Sequence, residues 1–174
     1  MTALVGARKV LELLRLTQAA VFDLDGVLTD GSLLITESGE ELRRMDVRDG
    51  YAMQVAQQYG LRIYVISGGH SSGVEKRLLR LGISGIRMNV PDKKEALRLV
   101  AASEGLDLST TLYMGDDLLD AEALRICGIP CCPADAVEQI RQLCVYVASR
   151  PGGHGCVREV LEKVLTLQGR WAAP

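Results

Sequence analysis

Two aspartates, Asp23 and Asp25, stand two residues apart at the end of an apolar run, and Gly26 follows at once. Alternate residues of an extended chain share a face, so both carboxylates can point into one pocket. Burying unpaired carboxylates is costly, and a metal ion or a reacting phosphate would remove that cost. The alternative interpretation is structural, with Asp23 capping a strand and Asp25 opening an ordinary turn.

Further polar residues are expected at the same edge of the fold. Ser67 follows a second apolar run, Asp116 and Asp117 follow a later one, and Lys93 opens a predicted helix. In parallel α/β sheets, ligands bind beyond the carboxyl ends of the strands. The sequence therefore predicts one site, built from several segments, at that edge.

The elements that must position these residues alternate between strand and helix. Short apolar runs predict buried strands, whereas runs with helical periodicity predict the segments between them. This alternation predicts an α/β fold with a doubly wound, mostly parallel sheet in one domain over residues 1–174. Strands are predicted at 19–24, 61–66, 85–88, 110–114, 129–132 and 145–147, and helices at 6–16, 49–59, 72–81, 92–103, up to 126, from 135 and at 156–167.

Helix starts are predicted from capping residues. Asp49 is expected to cap the second helix, with Tyr51, Ala52 and Val55 facing inward. Ser72 is expected to open the next helix in a capping box, and Asp135 to open a later one.

Residues 32–47 interrupt the alternation. Two short runs flank Gly39, which predicts a β-hairpin with a positive φ at that glycine. A two-stranded ribbon is marginally stable alone, so it must pack on its own domain or on another subunit, and we favour another subunit. A tail is expected over residues 168–174.

Composition restricts the class of protein. The 174 residues carry a net charge of −2 and no basic block, which argues against nucleic acid or an anionic membrane as a partner. We expect no membrane span, no signal peptide, and five free cysteines in a reducing cytoplasm.

Mg²⁺ prefers oxygen ligands and commonly takes one or two carboxylates. Asp23, Asp116 and the backbone around Asp25 could supply them. Phosphoryl transfer needs an in-line nucleophile and neutralisation of the phosphoryl oxygens, which Ser67 and Lys93 could provide. A carboxylate nucleophile would form an aspartyl phosphate.

Four motifs together resemble those of the haloacid dehalogenase superfamily, in order and over the whole chain: DLDGV at 23–27, Ser67, Lys93, and GDD at 115–117. The resemblance implies a Rossmann-like core and a Mg²⁺-dependent phosphatase. In it Asp23 is the nucleophile, Asp25 is the general acid and then the general base, Ser67 binds a phosphoryl oxygen, and Lys93 binds both Asp23 and the phosphate.

The same resemblance assigns the metal site. Asp23, Asp116 and the backbone of Asp25 would ligate Mg²⁺, while Asp117 and Asp120 would support those ligands.

A narrower resemblance is carried by RDGYA at 48–52, ISGG at 66–69, GDDLLD at 115–120 and GGHGCVRE at 152–159, with a hairpin in place of a cap domain. These segments are similar to the 3-deoxy-D-manno-octulosonate 8-phosphate (KDO 8-phosphate) phosphatases. The resemblance implies a cytoplasmic homotetramer of lipopolysaccharide-sugar synthesis that acts on a phosphorylated sugar acid. In that family the hairpins join at the tetramer centre, and a neighbouring subunit helps close the active site.

Substrate contacts are predicted for Asp30, Arg48, Gly68, Gly69 and His70. Three of these residues also have a structural interpretation. Arg48 is equally well explained as a solvated arginine in a loop, Asp30 as the end of a loop, and His70 as an ordinary surface residue.

Three other functions stay open. A nine-carbon sugar-acid 9-phosphate phosphatase would use the same chemistry. A response-regulator receiver also combines Asp, Mg²⁺, Ser or Thr and Lys, but lacks the Asp-x-Asp-Gly pattern. A catalytically weak assembly module is disfavoured by the intact motifs.

Overall fold

The computed structural model describes residues 2–171, except for the side chains of residues 2–5 and 7. Strands and helices alternate along the chain as the sequence predicts. The strands are β1 (Ala19–Phe22), β2 (Leu34–Ile35), β3 (Glu41–Leu42), β4 (Arg62–Ile66), β5 (Gly85–Arg87), β6 (Thr111–Met114), β7 (Ile129–Cys132) and β8 (Tyr146–Val147). The helices are α1 (Thr2–Arg15), α2 (Val47–Gln58), α3 (Ser72–Leu81), α4 (Lys93–Glu104), α5 (Ala121–Ile126), α6 (Glu138–Arg141) and α7 (Cys156–Leu167).

Six strands form one parallel sheet in the order β5-β4-β1-β6-β7-β8. The first strand lies in the interior of the sheet, and its last residue, Phe22, pairs with Val65 of β4 and Met114 of β6. This register brings the carboxyl ends of the three strands side by side. The α/β fold class predicted from the alternation is confirmed.

Helices cover both faces of the sheet because its central strand is apolar on both sides. All of β1 is buried. Ala20 and Phe22 belong to the core that includes residues of α1, α2, α3 and α7, whereas Ala19 and Val21 belong to the core that includes residues of α4, α5 and α6. Because both faces are covered, no side chain of β1 faces solvent.

The second helix begins earlier than predicted, so its predicted cap is wrong. Asp46 precedes the helix, and its carboxylate accepts a hydrogen bond from the backbone N–H of Arg48 at 2.8 Å. Asp49 instead lies buried in the first turn, where it accepts from the N–H of Arg158 at 2.7 Å. The shift turns Tyr51 outward, to 55% exposure, while Ala52 is buried as predicted.

Two other predicted helix caps are also wrong, although α3 spans the predicted residues 72–81. Ser71 caps α3 by accepting from the N–H of Val74, so Ser72 is already the first helical residue. Asp135 accepts from the N–H of Gly152 and thereby braces a loop, and α6 begins only at Glu138.

The hairpin stands apart from the main sheet. Leu34 pairs with Leu42, and Gly39 in the turn has the predicted positive φ of 81°. Leu34, Ile35 and Leu42 are all exposed. Their exposure makes the surface of the ribbon apolar, and its packing on another subunit stays a prediction.

The chain end returns to the body of the domain. Gln168 donates to the carbonyl oxygens of Arg15 and Thr17, and Trp171 packs against the core. Residues 172–174 of the predicted tail lie outside the described residues. All five cysteines are free, as predicted. Within residues 2–171, no helix is both long enough and apolar enough to cross a membrane.

Burial of Asp49 predicts a pH dependence of stability. Burial raises the pKa of this carboxyl to about 6. The folded state then binds a proton more tightly than the unfolded state, so stability should fall as pH rises from about 4 through 6 and level off above about 7. The contribution lost is about 3 kcal/mol at most.

Urea unfolding of the natural protein and Asp49→Asn between pH 4 and pH 8 tests this expectation. The stability difference between the two proteins should change in favour of the variant as pH rises, because all other carboxylates are shared. Parallel curves would show that Asp49 ionises normally in the folded protein.

Candidate active site

A cleft of about 290 Å³ opens at the carboxyl edge of the sheet. It lies where β1, β4 and β6 end and where α4 begins, as the sequence predicts for the polar clusters. Its lining residues are Asp23, Asp25, Gly31, Ser67, Gly68, Gly69, Lys93, Asp116, Asp117, Leu119 and Asp120.

Asp23 is fixed by its place directly after β1. Its backbone N–H donates to the carbonyl of Met114 at 2.9 Å, which continues the pairing with β6 by one residue. Its side chain is 7% exposed and lies 2.8 Å from the Nζ atom of Lys93. Lys93 is the first residue of α4, whose N-terminus Asp92 caps. The ammonium group therefore reaches Asp23 from a fixed backbone.

Asp120 is a buried residue of the cleft that accepts hydrogen bonds from several neighbours. Its Oδ1 accepts from Lys93 at 2.7 Å and from the hydroxyl of Tyr113 at 2.8 Å. Its Oδ2 accepts from the backbone N–H groups of Asp116 and Asp117. Both carboxylate oxygens are thus engaged, and the group is fully buried. Asp120 therefore orients Lys93 and the backbone of Asp116. Its support of metal ligands stays a prediction.

Asp116 approaches the backbone of the first loop. A Cβ atom added at Gly26 would lie 2.0 Å from Oδ2 of Asp116, so only glycine fits there. Gly26 also has a φ of 84°, which other residues rarely adopt. The glycine of the first motif is therefore required by contact with an aspartate of the last one.

The carboxylates outnumber the cation that faces them. Burial, and after it the charge of Asp120, raises the pKa of both Asp23 and Asp116 to about 7. Burial also lowers the pKa of Lys93, but Asp23 and Asp120 more than offset this, so the net shift is upward. The lysine is therefore charged, and no second cation of the described side chains pairs with Asp23 or Asp116.

This arrangement fits a hard divalent cation. Asp23, Asp116 and Asp120 each place an oxygen within 4.8 Å of the others. Asp120 already accepts four hydrogen bonds, which leaves Asp23 and Asp116 as the better ligands. Carboxylate oxygens suit Mg²⁺, whose charge would offset the burial and the repulsion that raise the two pKa values.

Ser67, Gly68 and Gly69 form a polar part of the cleft lining. The hydroxyl of Ser67 accepts from the N–H of Gly69 at 3.1 Å, and the residue is buried. Two backbone hydrogen bonds fix this turn. The N–H of Ser67 donates to the carbonyl of Arg87, and the N–H of Val90 donates to the carbonyl of Ser67. A fixed hydroxyl at the sheet edge can donate to an oxyanion.

The structure adds one residue that the sequence analysis missed. Arg43, on the hairpin, donates from Nε to Oδ1 of Asp25 at 2.8 Å and from Nη2 to Oδ2 at 3.2 Å. Hydrogen bonding to Asp25 raises the pKa of Arg43. The only sequence signal was a basic residue in an insertion that follows the Asp pair closely, and this signal does not show which way the side chain turns.

Three predicted substrate contacts lie outside the cleft of a single chain. Asp30 pairs with Arg44, and hydrogen bonds from Ser32 keep the pKa of Asp30 below its usual range. Arg48 is 53% exposed and pairs with Asp46. His70 lines a neighbouring groove of about 770 Å³ between the hairpin and α3. The roles predicted for these residues stay predictions.

Comparison with known proteins agrees with this geometry. No family model matches the chain. The KDO 8-phosphate phosphatase of Haemophilus influenzae is 32% identical over 150 residues, which cover 86% of this chain and 83% of the relative. The chain belongs to the KDO 8-phosphate phosphatase family.

Solved structures of that family superpose closely on this fold. A KDO 8-phosphate phosphatase from Moraxella catarrhalis, in complex with magnesium, phosphate and KDO, has a TM-score of 0.90 at 33% identity, with 93% of each chain covered. The cobalt-bound form of the Haemophilus influenzae phosphatase has a TM-score of 0.87 at 31% identity, with 90% of this chain and 92% of that one covered. The predicted family is therefore confirmed for this chain.

In this family member, the raised pKa values of Asp23 and Asp116 predict proton-coupled metal binding. Below about pH 7 a cation must displace protons from these carboxyls, so affinity for Mg²⁺ should fall as pH drops. We expect a loss of about tenfold in affinity per pH unit for each proton displaced.

Calorimetric titration with MgCl₂ at pH 6 and pH 8, in buffers of different ionisation enthalpy, measures both affinity and protons released. Asp116→Asn should bind Mg²⁺ more weakly and release fewer protons at pH 6. Equal affinity at both pH values, without proton release, would contradict the assignment.

Proposed function

We infer that this protein is a Mg²⁺-dependent phosphatase that hydrolyses KDO 8-phosphate to KDO and phosphate. The observation that carries this inference is the meeting of Asp23, Lys93, Asp116 and Ser67 in one cleft, within a chain of the KDO 8-phosphate phosphatase family.

Asp23 is proposed as the nucleophile. One of its oxygens is held by Lys93, which leaves the other oxygen available for attack. Attack on phosphorus forms an aspartyl phosphate and releases the sugar oxygen. Lys93 stays close to the phosphoryl group throughout and offsets its negative charge.

Asp25 is proposed as the proton-transfer group. It lies two residues beyond Asp23 and lines the same cleft, with its side chain 37% exposed. As a carboxylic acid it gives its proton to the departing sugar oxygen. As a carboxylate it then takes a proton from the water that attacks the aspartyl phosphate, which restores Asp23 and the acid form of Asp25.

Asp23 and Asp116 would hold the metal, together with the backbone of Asp25. A bound Mg²⁺ supplies charge neutralisation at the phosphoryl oxygens. Asp120 keeps Lys93 and the backbone of Asp116 in place, and Asp117 caps the turn that carries Asp120.

The loop after β4 is proposed to bind the phosphoryl group. Ser67 donates its hydroxyl to a phosphoryl oxygen, and the backbone N–H groups of Gly68 and Gly69 extend this donor set. The sugar acid then extends toward the groove that contains His70.

A substrate panel tests this function. With Mg²⁺ present, we expect kcat/KM for KDO 8-phosphate to exceed that for a nine-carbon 9-phosphate and for hexose phosphates by about a hundredfold, which is roughly 2.7 kcal/mol. Asp23→Asn should abolish phosphate release while leaving the circular dichroism spectrum unchanged.

A higher kcat/KM for the nine-carbon 9-phosphate would identify that ester as the substrate instead. Substantial turnover by Asp23→Asn would contradict its role as nucleophile. Lys94→Gln is a suitable control, because Lys94 adjoins Lys93 but pairs with Glu122 at the surface.

We further propose that the protein is a cytoplasmic homotetramer of lipopolysaccharide-sugar synthesis, assembled through its hairpins. The exposed side chains of Leu34, Ile35 and Leu42 support this assembly, because they form an apolar surface on an element that is marginally stable alone. A closed ring of such hairpins would bury that surface.

Light scattering tests the assembly. The expected mass is about four times the 18.9 kDa of the chain. Leu34→Asp with Leu42→Asp should lower the mass, since the two residues pair across the hairpin. Leu99→Asp, at an exposed leucine on α4, should leave it unchanged. A monomeric natural protein would contradict the proposal.

A further inference from the structure

Arg43 is unusual among the hairpin residues because its side chain is buried. Only 3% of the side chain is exposed, whereas the side chain of Arg44 beside it is 70% exposed. The buried guanidinium crosses from the hairpin to Asp25 and makes two hydrogen bonds to it, one to each carboxylate oxygen. An insertion outside the main sheet thus contacts a residue that lines the cleft.

Fold stability does not account for this contact. The partner, Asp25, is 37% exposed, and ion pairs between partly solvated groups contribute little to folding. The Nη1 atom of Arg43 is buried without a partner among the described residues, which costs free energy. A long apolar side chain would fill the same space without that cost.

The ion pair of Arg43 and Asp25 lies next to the loop that is proposed to bind the phosphoryl group. A Cβ atom added at Gly69 would lie 3.3 Å from Oδ2 of Asp25 and 3.4 Å from Nη2 of Arg43. The carboxyl and the guanidinium therefore lie against the loop that follows Ser67. Two parallel N–H···O bonds fix the plane of a carboxyl group as well as its position.

We propose that Arg43 is a positioning residue for the proton transfers made by Asp25. This inference rests on the proposed function. Each carboxyl oxygen of Asp25 keeps a second lone pair beside the bond from Arg43, so the group can hold a proton and still be oriented. In the first step the P–O bond to the sugar breaks as the proton moves from Asp25 to the departing oxygen. Arg43 keeps the acid aimed at that oxygen.

A leaving-group series separates this role from a structural one. Arg43→Met is compared with the natural protein on a set of substituted phenyl phosphates, with Mg²⁺ saturating. We measure kcat/KM, which covers the steps up to transfer of the phosphoryl group and excludes hydrolysis of the aspartyl phosphate. Esters with acidic phenols leave without a proton, whereas esters with weakly acidic phenols need one.

The expected loss in Arg43→Met is about a hundredfold for the least acidic phenol and less than about fivefold for p-nitrophenol, because general acid catalysis contributes about 10²–10⁴-fold. Asp25→Asn should show the same steep dependence on leaving group. The double variant should lose no more than Asp25→Asn alone, since Arg43 acts through Asp25. Arg43→Lys should recover part of the activity toward the least acidic phenols.

Arg44→Met is the matched control, since it removes a charge from the exposed face of the same hairpin. It should keep the natural dependence on leaving group. If Arg43→Met lost the same factor in kcat/KM on every ester while the natural protein was active, the positioning role would be overturned. The phosphatase function would still stand. A natural protein that also releases no phosphate from KDO 8-phosphate would overturn both.

Discussion

Burial of several carboxylates around one ammonium group is the constraint on which this site depends. Lys93 lies within hydrogen-bonding distance of both Asp23 and Asp120, and Asp116 lies beside them. Burial, and after it the charge of Asp120, raises the pKa values of Asp23 and Asp116, and one lysine does not offset this. The resting protein therefore has a deficit of positive charge where Mg²⁺ and a phosphoryl group are proposed to meet.

Backbone geometry makes that crowding possible. Gly26 lets the first loop approach Asp116, and Gly115 lets Asp120 fold back beneath it, where an added Cβ would lie 2.3 Å from its Cγ. The sheet register places the ends of β1 and β6 side by side. Strand order, two glycines and a single capped helix start together bring charges from distant parts of the sequence into contact.

The geometry of the parallel sheet decides which parts of the site could be predicted from the sequence. Buried strands are short apolar runs, and polar residues at their carboxyl ends must converge in a parallel sheet, so the location of Asp23, Ser67 and Asp116 followed from order alone. No such rule predicts where a side chain lies when it belongs to an irregular or inserted segment. Arg43 was missed because its direction depends on how the hairpin folds back, and Asp49 was misassigned because several acids in one segment could each have capped the helix.

The hairpin joins two properties that are usually separate. Its apolar residues face outward and support the proposed assembly, while Arg43 faces inward and holds Asp25. A two-stranded ribbon has little stability of its own, so whatever packs on its outer surface also limits the movement of the arginine. Under the proposals made above, association of subunits and alignment of the acid are then linked through one short element. This link gives a physical reason for an insertion at this point of the chain, immediately after the two aspartates.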